Sequence, residues 1–167
     1  MRILRAGPLT ASVFAPFGDV VEASETQMQQ QINAGHTVRF HDLANIHCLA
    51  KSGSKSNKVA ANIFRSVAWD MPVILHQMER HPKSSQLFMP LGVNPYLVVV
   101  ALAGDFDMDN ICAFLATADQ GVNYHPGTWH HYSLALGQES DFFVVDYAGL
   151  EDNCDVIDLP QPLEIKM

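Results

Sequence analysis

Two short segments of the sequence hold side chains that could bind a metal ion or transfer protons. In the first, Glu79 and His81 stand two residues apart, so on a β-strand both side chains point to one face. Gln86 follows a turn and can return to that face on the next strand. In the second segment, the Pro126-Gly127 turn places His130 at the start of a strand, with its side chain facing inward. We therefore expect these four polar side chains to converge at the mouth of a barrel.

Two kinds of chemistry suit this set. Neutral imidazole is a good ligand for Zn, Ni, Cu or Fe, and a carboxylate adds charge that tunes the choice of metal. Histidine also has the unperturbed pKa nearest neutrality, which makes His81 and His130 candidates for proton transfer. A nitrogen that holds a metal ion cannot also act as a base, so the sequence leaves both alternatives open. Taken alone, each of these residues is more often a surface or structural side chain, and His131 must point away from the face that His130 occupies.

The elements that must position this set are mostly strands. Pro16 and Gly18 end one short N-terminal helix, for which Thr10 is the expected N-cap. Runs of β-branched and aromatic residues, separated by Pro, Gly and Asn, then predict many short strands. These runs are 59–69, a strand beginning at 73, 86–89, 96–101, 111–117, 132–136 and 142–147. This pattern predicts an all-β, barrel-like fold with a few short peripheral helices, and residues 1–167 forming a single domain.

Composition limits the classes of partner. The formal net charge of -8 argues against nucleic-acid binding, which needs an excess of Lys and Arg. The most apolar run, Leu97 to Ala103, is too short to cross a membrane, and no signal peptide opens the sequence. The 3 cysteines are widely separated and odd in number, which suits reduced thiols. We expect a cytoplasmic protein with neither a nucleic-acid nor a membrane partner.

The two polar segments resemble the paired motifs of the cupin barrels. Glu79-x-His81, then Gln86 and Gly92, is similar to the first motif, whose usual form is HxH, a later Glu and a closing Gly. The segment from Gly121 to Pro126-Gly127-x-x-His130 is similar to the second, PxGxxH. Glu79 stands where the first His is usual, and Gln86 where the Glu is usual. Gln is a neutral and weaker ligand than Glu, so these departures bear on metal affinity and not on the fold.

Six blocks in the same order narrow the resemblance to the ureidoglycolate lyases. They cover nearly the whole chain: Phe17-Gly18-Asp19-Val20, Arg39-Phe40-His41-Asp42-Leu43, Glu79-Arg80-His81-Pro82, Gln120-Gly121-Val122-Asn123-Tyr124-His125, Trp129-His130-His131 and Asp152-Asn153-Cys154-Asp155-Val156. The resemblance implies a cupin barrel that forms homodimers. It also implies a step of purine degradation in which ureidoglycolate is split into glyoxylate and urea. A divalent metal is a possible cofactor, since nickel is associated with some members of the family.

The implied reaction assigns further roles. Glu79 can orient an imidazole or act as the base, and Gln86 and Tyr124 are expected to contact the substrate. If a metal ion is bound, its expected ligands are Glu79, His81, Gln86 and His130. For the substrate carboxylate we favour Arg39, because a guanidinium presents a fork matched to two oxygens.

Other cations and other functions stay open. Strand alternation turns Arg80 away from the site, and Lys83 is an alternative partner for the carboxylate. Arg39 could instead form an ordinary surface ion pair. Two alternatives to a ureidoglycolate lyase also remain: a metal-dependent cupin enzyme of another type, and a non-catalytic small-ligand-binding cupin.

Overall fold

The computed structural model describes residues 1–49 and 58–167. The surface loop predicted for residues 51–58 lies, except for Lys58, outside the described residues. The strands are β1 (Arg2–Arg5), β2 (Gly7–Pro8), β3 (Gly18–Val21), β4 (Gln29–Ile32), β5 (Thr37–Phe40), β6 (Val59–Ser66), β7 (Val73–Arg80), β8 (Gln86–Pro90), β9 (Tyr96–Ala101), β10 (Cys112–Ala116), β11 (Gly121–Tyr124), β12 (Trp129–His130), β13 (Leu134–Ala135), β14 (Ser140–Tyr147) and β15 (Asp155–Lys166).

Helices are few and short. Helix α1 covers Ala11–Phe14, and the Thr10 side chain accepts a hydrogen bond from the backbone N–H of Val13 at its start. Single 3₁₀ turns cover Asn33–Gly35 and Met108–Asn110. The predicted all-β class with short peripheral helices is confirmed. In the described part of the chain, no helix is both long enough and apolar enough to span a membrane.

Two large sheets make up the fold. The larger sheet has the strand order β1-β15-β7-β12-β9-β10-β2, with β13 also pairing with β9, and the smaller sheet has the order β3-β11-β8-β14-β6. Because β1 and β2 form the two outer strands of the larger sheet and are separated only by Ala6, the N-terminal segment joins its edges. The backbone N–H of Ala6 donates to the carbonyl of Lys166 over 2.7 Å. This pairing produces a nearly closed barrel shape, as the cupin resemblance implied.

Strand β9 separates two hydrophobic cores. Tyr96, Val98 and Val100 pack with residues of β8, β11 and β14, so one core lies between the two sheets. The alternate residues Leu97 and Val99 pack with residues of β7, β13 and β15 on the other face of the larger sheet. Because both faces are covered, every residue of β9 is buried, as the continuous apolar run in the sequence indicates.

A separate hairpin is formed by β4 and β5, which pair only with each other among the described residues. All four residues of β4 are exposed, and so are the first three of β5. Apolar side chains are among them: Ile32 is 37% exposed and Val38 is 46% exposed. This hairpin carries Arg39, the residue predicted to bind the substrate carboxylate.

Candidate active site

The larger sheet supplies two members of the predicted set. Strand β12 pairs antiparallel with β7, and His130 lies directly opposite Glu79. Residues directly opposite each other in an antiparallel pair have neighbouring side chains on the same face. His130 also lies opposite Val100, which belongs to the core between the two sheets. Both polar side chains therefore face the space between the sheets, and His130 is only 1% exposed.

The smaller sheet supplies Gln86 and Tyr124 from the opposite side. These two residues lie opposite each other in the pairing of β8 with β11, and both are buried. The Tyr124 ring stacks on the His130 imidazole, with ring centroids 4.3 Å apart and planes inclined by 1°. The structure thus brings together residues from both sheets, as the alternation of strand side chains predicts.

A tight turn joins the two polar segments of the sequence. Gly127 has a φ of 81°, in the left-handed region that glycine adopts readily. Its backbone N–H donates to the carbonyl of His81 over 2.9 Å. The turn before β12 is therefore attached to the residue that follows β7. This contact explains how the spacing Pro126-Gly127-x-x-His130 places the second imidazole beside the first, with ring centroids 5.1 Å apart.

The donor atoms of this cluster fit a divalent metal ion. Glu79, His81 and His130 each offer one potential ligand atom, and these atoms lie within 4.8 Å of one another. In each histidine, Nδ1 is hydrogen-bonded to a backbone carbonyl: that of Asn153 for His81, over 2.6 Å, and that of His131 for His130, over 3.3 Å. A carbonyl only accepts, so Nδ1 carries a proton in both rings, and in a neutral ring Nε2 then presents a lone pair.

Three buried atoms of the cluster have no protein partner among the described residues. They are Nε2 of His81, Nε2 of His130 and Oε1 of Gln86. Buried polar atoms are nearly always hydrogen-bonded, so these three atoms are available to an ion, a ligand or a water molecule. Metal-binding histidines commonly donate their second ring nitrogen to a carbonyl, which is the arrangement seen here.

Burial sets the protonation of these groups. Burial lowers the pKa of His130 to about 3, with a smaller contribution from the nearby His81, so this imidazole is neutral at physiological pH. Burial raises the pKa of Glu79, while His81 opposes part of that effect. Burial also raises the pKa of Tyr124 well above its ordinary value, so its hydroxyl stays protonated and can donate a hydrogen bond.

A cavity of about 330 Å³ opens beside the cluster, within the size range of small-molecule sites. Its walls include His81 and Gln86 from the predicted set, and Asp146, Tyr147 and Asn153 from the following segments. A larger cavity of about 640 Å³ lies around Trp69 and Tyr132. None of the described residues that line this larger cavity belongs to the predicted site, so the smaller cavity is the candidate substrate pocket.

Sequence reasoning gave no role to two residues of this pocket. The Tyr147 hydroxyl is buried without a hydrogen-bond partner among the described residues. A Cβ on Gly149 would lie 2.0 Å from that hydroxyl oxygen, so any other residue there would displace the Tyr147 side chain. Asn153 contacts His81 directly. Asn153 belongs to one of the six blocks that carry the family resemblance, and that was the available signal for it. Nothing in the local pattern marks Tyr147.

The predicted cations are placed apart from the cluster. Arg39 lies on β5 of the exposed hairpin, and no hydrogen bond or ion pair with the cluster is found for it within residues 1–49 and 58–167. Arg80 points away as alternation predicts: it pairs with Asp155 at 2.8 Å and lies over the Trp129 ring. Lys83 pairs with Glu151 at 2.9 Å.

Two further histidines lie near the site. His131 points to the other side of β12 and packs edge-on against Trp69, consistent with the structural role expected for it. Its pKa is lowered to about 4 by burial. His125 Nε2 lies 3.4 Å from an Asp19 carboxylate oxygen.

Comparison with known proteins gives a consistent result. The family model described as ureidoglycolate lyase matches residues 1–166. A ureidoglycolate lyase of Burkholderia mallei (strain NCTC 10229) is 46% identical over 163 residues, which is 98% of this chain and 93% of that protein. The protein of the same name from Pseudomonas putida (strain W619) is 45% identical over 156 residues, 93% of this chain and 90% of that protein. A third, from Pseudomonas fluorescens (strain Pf0-1), is 44% identical over the same shares. With both the family model and these relatives spanning nearly its whole length, the chain belongs to the ureidoglycolate lyase family.

Proposed function

We propose that this protein is a ureidoglycolate lyase, which eliminates urea from ureidoglycolate and releases glyoxylate. The observation that carries the proposal is the convergence of Glu79, His81 and His130 beside a pocket, in a chain that is about 45% identical to proteins of that name. All three side chains are of types that transfer protons or bind a metal ion.

The chemistry requires one proton to leave and one to arrive. In ureidoglycolate, a single carbon bears a hydroxyl, a carboxylate and a ureido nitrogen. A base removes the hydroxyl proton, the oxygen electrons form the C=O bond of glyoxylate, and the C–N bond breaks. The electron pair of that bond stays on the nitrogen, which takes up a proton to complete urea. The site therefore needs a proton acceptor, a proton donor and groups that orient the substrate.

Glu79 is the proposed base. Its raised pKa makes the carboxylate a stronger proton acceptor than an exposed glutamate. Once Glu79 has taken the hydroxyl proton, the same carboxyl group can deliver a proton to the departing nitrogen. A carboxylate has two oxygens, so proton transfer at one does not prevent the other from contacting a cation.

His81 and His130 are proposed to act as neutral imidazoles. Each has Nδ1–H fixed on a carbonyl and a free lone pair on Nε2. The low pKa of His130 rules out an imidazolium donor there at neutral pH, so its role is to accept or to coordinate. Glu79, His81, Gln86 and His130 would hold a divalent metal ion, for which nickel is the first candidate; when bound, it would polarise the substrate hydroxyl.

Tyr124 and Gln86 are proposed to orient the substrate. The protonated hydroxyl of Tyr124 can donate to a substrate oxygen, and its ring holds the His130 imidazole by stacking. The unpaired Oε1 of Gln86 can accept from a substrate N–H when it is not used by a cation. Arg39 is retained as the proposed partner of the substrate carboxylate because Arg80 and Lys83 are already engaged in ion pairs.

The cellular setting is also a proposal. We infer a cytoplasmic homodimer with one domain that acts in purine degradation. The single domain is supported by β1 and β15, which come from opposite ends of the chain and pair in one sheet. The homodimer is supported by the β4–β5 hairpin, whose exposed apolar residues need cover. Size-exclusion chromatography with light scattering would return the mass of one chain if the dimer proposal is wrong.

A product assay tests the proposed reaction. Purified protein is added to ureidoglycolate, and glyoxylate, urea and ammonia are measured together against an enzyme-free blank, because the substrate can decompose unaided. Glyoxylate and urea in equal amounts, without ammonia, are expected. Ammonia in place of urea would mean amide hydrolysis instead of elimination. No product above the blank, even with metal supplied, would favour another cupin enzyme or a binding protein.

A further inference from the structure

The position of His81 is not fixed by its own strand. Strand β7 ends at Arg80, so His81 is the first residue beyond the sheet ladder. To bind a metal ion or the substrate, its Nε2 must nevertheless face the cluster. Something outside β7 has to set the rotation and the tautomer of its ring.

Asn153 makes that contact through its backbone. The Asn153 carbonyl accepts a hydrogen bond from His81 Nδ1 over 2.6 Å. This contact keeps the proton on Nδ1 and leaves the buried Nε2 with a lone pair and no partner among the described residues. A lone pair on Nε2 is what a metal ion or a substrate proton requires.

The side chain of Asn153 holds this carbonyl in place. Its Oδ1 accepts from the backbone N–H of Lys83 over 2.6 Å, and its Nδ2 donates to the Ser84 hydroxyl over 2.9 Å. Ser84 is only 1% exposed. One residue thus binds the turn that follows His81 twice through its side chain and His81 itself through its backbone. A side-chain amide can accept and donate at the same time, which suits the Lys83 N–H and the Ser84 hydroxyl.

We propose that Asn153 is a positioning residue that fixes the tautomer and orientation of His81. It does not touch the reacting atoms; it acts through the imidazole. The proposal concerns the state of the histidine ring, so it stands or falls independently of which substrate the enzyme uses.

The first test is spectroscopic and uses the metal-free protein. Long-range ¹H–¹⁵N correlation spectra report which ring nitrogen of a neutral histidine carries the proton, and the spectrum of His81→Gln identifies the His81 signals. In wild type we expect Nδ1–H for His81. In Asn153→Ala we expect a mixture of tautomers or a change to Nε2–H. Asn110→Ala is the matched control, because it removes an asparagine that hydrogen-bonds an exposed loop at Asp107.

The second test measures the consequence for binding. Ni²⁺ affinity, measured by calorimetry, is expected to fall about 10- to 100-fold in Asn153→Ala, as is usual when the partner of a metal-binding histidine is removed. Asn110→Ala should bind Ni²⁺ as wild type does. If Asn153→Ala fails to fold, Ser84→Ala decides, since it removes only the bond donated by Nδ2 and should give a smaller change in the same direction.

The result that overturns the proposal is equally specific. A folded Asn153→Ala whose His81 keeps the wild-type tautomer and whose Ni²⁺ affinity stays within twofold would show that Asn153 does not position the ring. If that variant does not fold, unchanged spectra and affinity in Ser84→Ala would show the same. Lyase activity is not the readout, so a wrong assignment of the substrate would leave these tests valid.

Discussion

The polar cluster between the two sheets and the β4–β5 hairpin both carry residues predicted to serve one active site, but they are built differently. The cluster consists of Glu79, His81, Gln86 and His130. Each of these residues is buried or half-buried and lies in or next to a paired strand of the two sheets. The strands of the hairpin pair with no other strand within residues 1–49 and 58–167, and the hairpin is largely exposed. The comparison shows that residue spacing predicts convergence when the strands belong to a common barrel. Residue spacing does not predict where a residue on an isolated hairpin lies relative to the site.

The largest effect is expected from Glu79→Gln. This change keeps the size of the side chain and removes the charge that lets Glu79 accept a proton. We expect kcat to fall on the order of 10²- to 10³-fold, as for the loss of a general base. The measurement is the initial rate of urea formation above the blank. An equally large loss in Glu22→Gln, which changes a carboxylate outside the cluster, would show that the effect is not specific to the site.

Metal removal tests whether the polar cluster holds a divalent ion. If the unpaired atoms of His81, His130 and Gln86 bind a divalent ion, dialysis against a chelator should lower the rate at least about 10-fold, and added Ni²⁺ should restore it. Metal content measured by elemental analysis should fall in parallel. Full activity in protein shown to be free of metal would leave acid–base chemistry by the side chains alone.

Acid should lower the free energy of unfolding through the buried histidines and not through the exposed hairpin. The pKa of His131 in the folded protein is about 4, below the value of about 6.5 for an unfolded chain. Its contribution to stability is therefore present above about pH 6.5 and is lost as the pH falls toward 4, by up to about 3 kcal/mol. Urea unfolding at pH 7 and pH 4.5 measures this loss. It should shrink in His131→Phe and persist in His36→Gln, a change at the exposed end of the hairpin.

The smallest effect is expected from Arg39→Ala on the hairpin. If Arg39 binds the substrate carboxylate, KM should rise about 10-fold with little change in kcat, because a uniform binding contact is lost. Gln30→Ala is the matched control, since Gln30 lies opposite Arg39 on the same face of the hairpin. Identical KM values for wild type and both variants would remove Arg39 from the site.

Strands were predictable from sequence where burial and residue type agree. The apolar run of β9 predicted Tyr96–Ala101 with the bounds that the structure has. Strand β15 was not predicted, because Pro160 and Pro162 cannot donate to a strand ladder and suggest a break. In the structure both prolines lie where the pairing with β7 shifts register, between Asp158 and Leu163. Proline is tolerated at such a position, so the long strand β15 contains two residues that usually end a strand.

Some residues of the candidate site were likewise predictable from sequence, and others were not. The spacing of Glu79 and His81, and the turn before His130, predicted a convergence that depends only on strand alternation and pairing. Asn153 and Tyr147 could not be assigned roles from sequence because their contacts depend on where distant segments meet. Asn153 contacts a residue 72 positions earlier in the chain. No local periodicity encodes a contact of that separation.

Two histidines of the same strand region test whether the cluster carries out the reaction. His81 belongs to the cluster, whereas His76 is an exposed residue of β7. Rates of glyoxylate and urea formation from ureidoglycolate are measured for His81→Ala and His76→Ala, with folding checked by circular dichroism. We expect a loss of about 100-fold or more in His81→Ala and wild-type rates in His76→Ala. Equal turnover by the two folded variants would contradict it.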